Sequence, residues 1–83
     1  MQVMKGTVVK SKAGHDKGGF FVILDFDSDY AIICDGKHRP LEKAKKKKFK
    51  HLFVTNTVLP EDVLETNRKI RKALSDFVWK PIN

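Results

Sequence analysis

Apolar side chains in the first half of the chain occur in short runs separated by glycine- and aspartate-rich segments. The three clearest runs are residues 7–9, 20–24 and 30–34, which are rich in β-branched and aromatic side chains. Such residues favour extended strands. The separating segments, residues 13–19 and 25–29, contain the residue types that form tight turns. The pattern therefore predicts three short sequential strands.

Two further strands are predicted downstream. Asp35-Gly36 is a two-residue hairpin signal, and it predicts a fourth strand over residues 37–42, placed at an edge by Pro40. The fifth strand is predicted for residues 51–55, after a run of lysines. Five short, closely spaced strands are typical of an SH3-like barrel, so the predicted fold class is mainly β.

The last third of the chain changes to helical periodicity. Pro60 suits a first helical turn, and Pro81 would stop the helix. The apolar residues whose spacing places them on one helical stripe are Leu64, Ile70, Leu74 and Phe77. We therefore predict an amphipathic C-terminal helix.

The second strand supplies a reason for this helix to dock. Residues 20–24 are apolar at every position, so both faces of the strand need cover, whereas a half-buried strand would alternate. The barrel interior covers one face, and the helical stripe is predicted to cover the other. Residues 1–57 would form the barrel, and residues 58–83 the helix and tail of the same compact domain.

The 83-residue chain is basic, with 17 Lys+Arg against 10 Asp+Glu and a net charge of +7. Residues 37–50 hold eight basic side chains and one carboxylate, so this segment alone carries a net charge equal to the total. Such density favours a polyanion, either nucleic acid or an anionic membrane surface. The apolar run 20–24 is too short to span a bilayer, and residues 1–10 lack a signal-peptide core. We expect a cytoplasmic protein with no membrane partner.

No metal or cofactor site is expected. Asp25, Asp27 and Asp29 have the spacing of an EF-hand opening, but Tyr30 and Gly36 stand where glycine and glutamate are required. An acidic turn is the better interpretation. The glycines of residues 14–19 have phosphate-loop spacing, yet two phenylalanines follow in place of Lys and Ser/Thr. The sequence therefore predicts no nucleotide cofactor.

Catalysis is not expected either. The single cysteine, Cys34, lies in an apolar run and is interpreted as a buried small hydrophobe. His15, His38 and His51 are too widely spaced for a local metal-ligand pair, and none has a neighbouring nucleophile. A chain this short also has little room for a deep cleft. We therefore predict a binding protein with no small-molecule substrate.

Two segments carry a family resemblance. Residues 8–23, with Gly14-His15-Asp16-Lys17-Gly18 at their centre, resemble the KOW motif, a strand–loop–strand element of ribosomal proteins and transcription elongation factors. Residues 32–52 resemble the second half of one branch, the large-subunit ribosomal KOW proteins of eukaryotes and archaea and their short bacterial relatives. The resemblance covers about residues 5–56. It implies an SH3-like barrel that binds ribosomal RNA.

The resemblance also implies roles for individual residues. Gly14 and Gly18 would shape the loop and Asp16 would tie it down, whereas His15 departs from the arginine expected in that branch. The predicted RNA-binding residues are Lys12, His15, Lys17, Lys37, His38, Arg39, Lys43, Lys45, Lys46, Lys47, Lys48 and Lys50. A secondary basic face on the helix would contain Arg68, Lys69, Arg71 and Lys72.

The predicted function is binding of structured RNA, above all ribosomal RNA, by a ribosomal or ribosome-associated protein in contact with ribosomal proteins. Lysines supply point charges for phosphates without reading base sequence. One alternative is a transcription or translation regulatory factor that uses the same KOW barrel. Another is a protein–protein interaction module in which the helix and Trp79 dock on a partner.

Overall fold

The computed structural model describes residues 3–77 of the chain, with five strands and one α-helix in this part. The strands are β1 (Thr7–Ser11), β2 (Phe20–Phe26), β3 (Tyr30–Cys34), β4 (Lys45–Lys48) and β5 (Leu52–Val58), and the helix is α1 (Asn67–Asp76). Short 3-10 turns lie at Gly14–Asp16, Leu41–Lys43, Phe49–His51 and Glu61–Glu65. The mainly β class with a C-terminal helix is confirmed.

The strands form one antiparallel sheet in the order β4-β3-β2-β1-β5. Val9 on β1 lies opposite Phe21 on one side and Val54 on the other, so β1 and β2 occupy the interior of the sheet. The edge strands β4 and β5 do not pair with each other in the described part of the chain, so the backbone ladder is not closed into a barrel.

Strand β2 is covered on both faces, as its unbroken apolar sequence predicts. Phe21 and Ile23 belong to one buried cluster with Val9 and Ile33. The Val22 side chain points to the opposite face of the sheet and packs in a second buried cluster. The alternation of β2 between two cores explains why no position from residue 20 to residue 24 is polar.

The second cluster contains the helix. Ile70 is fully buried and packs with Val22, Cys34 and Leu64, while Leu74 contacts the margin of the same cluster. Phe77 meets the ring of Phe20 edge to face, with centroids 5.2 Å apart. The predicted docking of the helical stripe on β2 is confirmed for these residues.

The α-helix begins later than predicted. Pro60 precedes the 3-10 turn Glu61–Glu65, and α1 starts only after Thr66, whose hydroxyl accepts a hydrogen bond from the Lys69 amide at 3.1 Å. This N-cap needs Thr66 in an extended conformation, which separates the turn from the helix. The helix also ends earlier than predicted, at Asp76, where the extended conformation of Phe77 stops it before Pro81. Trp79 and Pro81 themselves lie outside the described residues.

The predicted fourth strand over residues 37–42 is wrong. The Asp35 carboxylate accepts hydrogen bonds from the Lys37 and Arg39 amides at 2.9 and 2.8 Å, and the Leu41 amide donates to the Asn67 side chain at 2.8 Å. Side chains thus take the donors that a sheet ladder would use, and the segment curls. The strand forms instead at Lys45–Lys48, the run of four lysines.

Candidate nucleic-acid interface

The four lysines of β4 do not share one environment, because successive side chains of a strand point to opposite faces. Lys46 and Lys48 are exposed, and their ammonium groups lie 4.6 and 5.8 Å from the centre of the Tyr30 ring. Lys45 and Lys47 point to the opposite face, towards the loop that connects β1 and β2. The lysine run therefore divides into an outward pair and an inward pair.

Lys47 is a buried cation, with only 8% of its side chain exposed. Its ammonium group donates to the Ser11 hydroxyl at 2.8 Å and to the Ala13 carbonyl at 2.7 Å, and it lies 3.8 Å from the Asp16 carboxylate. These partners compensate for the loss of water around the charge. We therefore assign Lys47 to holding the β1–β2 loop instead of to an outward interface.

Asp16 is the centre of a buried charge cluster. Its carboxylate is 7% exposed and accepts both arms of the Arg39 guanidinium, Nε at 3.3 Å and Nη2 at 3.2 Å. Lys45 approaches it to 3.8 Å, as Lys47 does. Burial by itself raises the pKa of Asp16, but the Arg39 hydrogen bond and the three positive charges outweigh it and hold this pKa below its ordinary value.

Residues 35–39 form a loop that is fixed at its other side by the helix. The Arg71 guanidinium donates to the Gly36 carbonyl at 2.9 Å. Gly36 lies so close to α1 that a Cβ atom there would approach the Asn67 carbonyl oxygen to 2.4 Å. Asn67 also donates to Glu42 at 2.6 Å. The loop is thus held by Asp16 through Arg39 and by α1 through Gly36.

This arrangement brings basic residues from three parts of the chain to one surface, which we call the loop face. Two shallow depressions meet there, sharing Gly19, Asp35 and His38. The basic side chains that line them are His15, Lys17, Lys37, His38, Arg39 and Arg71. Lys17 and Lys37 are exposed and form no ion pair with a carboxylate of residues 3–77. The exposed His38 ring lies 3.5 Å from Asp35.

A second basic surface, which we call the strand face, surrounds Tyr30. Lys48 and Lys50 line a depression beside the Tyr30 and Phe49 rings, and Lys46 lies over Tyr30. The three lysines are exposed, and none pairs with a carboxylate in the described part of the chain. Asp29 lines the same depression and the Lys46 charge acts on Asp27, but the lysines form no ion pair that would have to break before they meet a ligand.

The remaining predicted residues lie in different settings. The Lys12 ammonium group lies 4.6 Å from the centre of the Phe53 ring. Lys43 is exposed on the Leu41–Lys43 turn. On the helix, Lys69 and Lys72 pair with Glu65 and Asp76 one turn away, at 3.7 and 3.5 Å, and Arg68 is exposed. Of the secondary basic face, Arg71 is the residue that the structure joins to the loop face.

Sequence reasoning identified most of these cations but missed how they are organised. The resemblance assigned Asp16 to tying down the loop, but nothing in the sequence indicates that its three basic partners are Arg39, Lys45 and Lys47. The link between Arg71 and Gly36 was also missed, since it depends on where the helix docks. Both contacts are long-range products of the fold.

Two residues have structural settings that agree with the sequence interpretation. Asp27 accepts hydrogen bonds from the Asp29 and Tyr30 amides, both at 2.8 Å, so it caps the acidic turn. Cys34 is buried, and this burial raises the pKa of its thiol to about 11. A thiol with such a pKa carries almost no thiolate at neutral pH.

The protonation of Asp16 gives a testable pH dependence. Because its pKa is lowered in the fold, its contribution to stability is complete above the ordinary value of 3.8 and is lost as pH falls through the lower, folded value. We expect Asp16→Asn to be less stable than the wild type at neutral pH, with the difference shrinking below pH 3.8. Urea denaturation over this range measures it, with Asp76→Asn as an exposed control. A constant difference would contradict the ionised cluster.

No helix among residues 3–77 has the length and apolar character needed to cross a membrane.

Comparison of the sequence with models of known protein families and with curated proteins gives no match. The resemblance of residues 8–23 and 32–52 to KOW proteins therefore stays a prediction from the sequence.

Proposed function

We propose that this protein is a KOW-type module with an SH3-like barrel that binds structured RNA, namely ribosomal RNA, as a ribosomal or ribosome-associated protein. The observation that carries the proposal is the pair of outward basic surfaces, the loop face and the strand face, built on a rigid sheet. Folded RNA presents phosphates at fixed positions, and a rigid array of cations suits such a ligand.

The chemistry of the two faces favours contact with the phosphate backbone over reading of bases. Lys46 and Lys48 already lie over Tyr30, and Phe49 packs against the core. Tyr30 and Phe49 thus already have partners within the protein, and the exposed Phe26 meets Phe49 edge to face, whereas single-strand binding uses open aromatic platforms for stacking. Lysine ammonium groups contact phosphates as point charges without regard to sequence.

The alternative of a protein-interaction module loses its main support. That alternative assigned the helix and Trp79 to a partner, but Ile70 on the helix is fully buried against β2 and β3, and Leu64 in the preceding 3-10 turn is almost completely buried. A surface that is buried inside the fold cannot contact another chain.

The alternative of a transcription factor needs a separate experiment. Recovery of the protein with ribosomal subunits, and not with RNA polymerase, would favour the ribosomal role over a transcription-factor role.

The first test is the salt dependence of binding. If about four to six phosphates are neutralised, log K for a structured ribosomal RNA fragment should fall with log salt with a slope of roughly −3 to −5, because each contact releases counterions. Fluorescence anisotropy at a series of KCl concentrations measures this slope. An affinity that does not change with salt would contradict the proposal.

The second test compares two double variants that remove equal charge. We expect Lys46→Ala with Lys48→Ala to weaken binding to different structured RNAs about equally and to reduce the magnitude of the salt slope by about 2, since two phosphate contacts are lost. Lys69→Ala with Lys72→Ala is the control, because both lysines have a carboxylate partner on the helix. Equal losses in the two variants would show that net charge alone drives binding.

A further inference from the structure

We infer that Asp16, although acidic, is required for RNA binding as a positioning residue that holds Arg39 and Lys45 in place for phosphate contact. This inference rests on the proposed function. It differs from a simple charge argument, because a carboxylate inside a basic surface should repel RNA. The geometry of the Asp16 cluster gives the opposite expectation.

Asp16 connects two basic segments that follow β3 in the chain. Asp16 belongs to the loop between β1 and β2, Arg39 ends the loop that follows β3, and Lys45 begins β4. The two cations approach the carboxylate to 3.2 and 3.8 Å. Lys47 also ties β4 to the β1–β2 loop through Ser11 and Ala13, but Asp16 is the group that contacts both Arg39 and Lys45.

Arg39 and Lys45 remain partly exposed while they contact Asp16. Arg39 is 30% exposed and Lys45 is 40% exposed, whereas the carboxylate between them is 7% exposed. A guanidinium group has five N–H donors, and the fork to Asp16 uses Nε and Nη2. Arg39 therefore retains donors for a phosphate while its plane is fixed. The carboxylate itself is shielded from an approaching RNA by the cations that it holds.

The direction in which RNA affinity changes when Asp16 is replaced distinguishes positioning from simple repulsion. Replacing Asp16 with asparagine raises the net charge by one, so a purely electrostatic account expects tighter RNA binding. If Asp16 positions Arg39 and Lys45, the same change releases both side chains and weakens binding, because their ordering must then be achieved at the moment of association. The two accounts make opposite predictions for a single variant.

The experiment measures binding of a transcribed, structured ribosomal RNA fragment to the full chain at fixed salt. We expect Asp16→Asn to weaken binding by about three- to tenfold, the size of losing roughly one phosphate contact. Asp76→Asn, which neutralises an exposed carboxylate paired with Lys72, should bind equally or slightly tighter. Asp16→Asn that binds as tightly as the wild type, or tighter, would overturn the inference.

A second variant covers the case in which Asp16→Asn folds poorly. Arg39→Lys keeps the net charge but cannot form the two-pronged pair with Asp16. We expect it to bind about threefold or more weakly and to lose less melting temperature than Asp16→Asn, because a lysine still leaves the carboxylate with a cation. Lys69→Arg is the charge-conserving control. Affinity equal to the wild type would count against positioning.

One further measurement does not depend on RNA. The Arg39 Nε–H resonance should be protected from solvent exchange in the wild type and lose this protection in Asp16→Asn, since Asp16 accepts its hydrogen bond. An unprotected wild-type signal would refute the cluster itself. A wild type that binds no structured RNA would refute the proposed function, which is a distinguishable failure.

Discussion

Replacing Ile70 with alanine is expected to lower the free energy of unfolding by about 2–5 kcal/mol, the range measured for truncating large buried aliphatic side chains. Ile70 has no exposed surface and packs with Val22, Cys34 and Leu64 between α1 and the sheet. Truncation would leave a cavity that the neighbouring strands cannot close, because they are fixed by the ladder. Urea denaturation followed by circular dichroism measures the change.

Lys72→Ala is the control on the same helix. The Lys72 side chain is 80% exposed and contacts Asp76 across one turn, so we expect a change within about 0.5 kcal/mol. If the Ile70 and Lys72 variants unfolded at the same urea concentration, the helix would not be packed on β2. A large loss for Ile70→Ala alone would show that the helix contributes to the stability of the sheet.

Replacing Gly36 with alanine is expected to be the second severe change. Gly36 has φ of +76°, a left-handed conformation, and a Cβ atom would lie 2.4 Å from the Asn67 carbonyl oxygen. The left-handed conformation alone costs a residue with a side chain roughly 1–2 kcal/mol. The collision adds to this, because backbone of the loop or of the helix must move.

Gly18→Ala separates the two contributions. Gly18 also has a positive φ, +87°, but an added Cβ would meet no atom within 4 Å. We expect Gly18→Ala to show the conformational cost alone, and Gly36→Ala to be worse by about 1 kcal/mol or more. Thermal melts of both variants give the comparison. Equal melting temperatures would mean that the loop does not lie against α1 as described.

Local patterns were sufficient to predict the central strands. β1, β2 and β3 contain the predicted runs of β-branched and aromatic residues, although β1 continues to Ser11 and β2 to Phe26. The unbroken apolar run in β2 also predicted the second core under the helix. Hydrophobic burial dominates these choices, and burial leaves a clear sequence pattern.

The fourth strand could not be found in this way, since four consecutive lysines have neither apolar alternation nor strand propensity. β4 forms because β3 offers a ladder edge and because Lys47 finds Ser11 and Ala13 across the fold. The same limit applies to the candidate interface. Composition located its charges, but which lysine faces outward depends on the register between β3 and β4.

The position of the lysine run at a sheet edge has a consequence for the free protein. β4 is an edge strand whose outer backbone groups have no strand partner in the described part of the chain, and such edges can recruit a strand from another molecule. Mutual repulsion between Lys46 and Lys48 of one copy and those of another opposes this encounter. The lysines that attract a polyanion therefore also oppose edge-to-edge pairing of β4 strands from different molecules. Acetylation of these side chains would remove the repulsion.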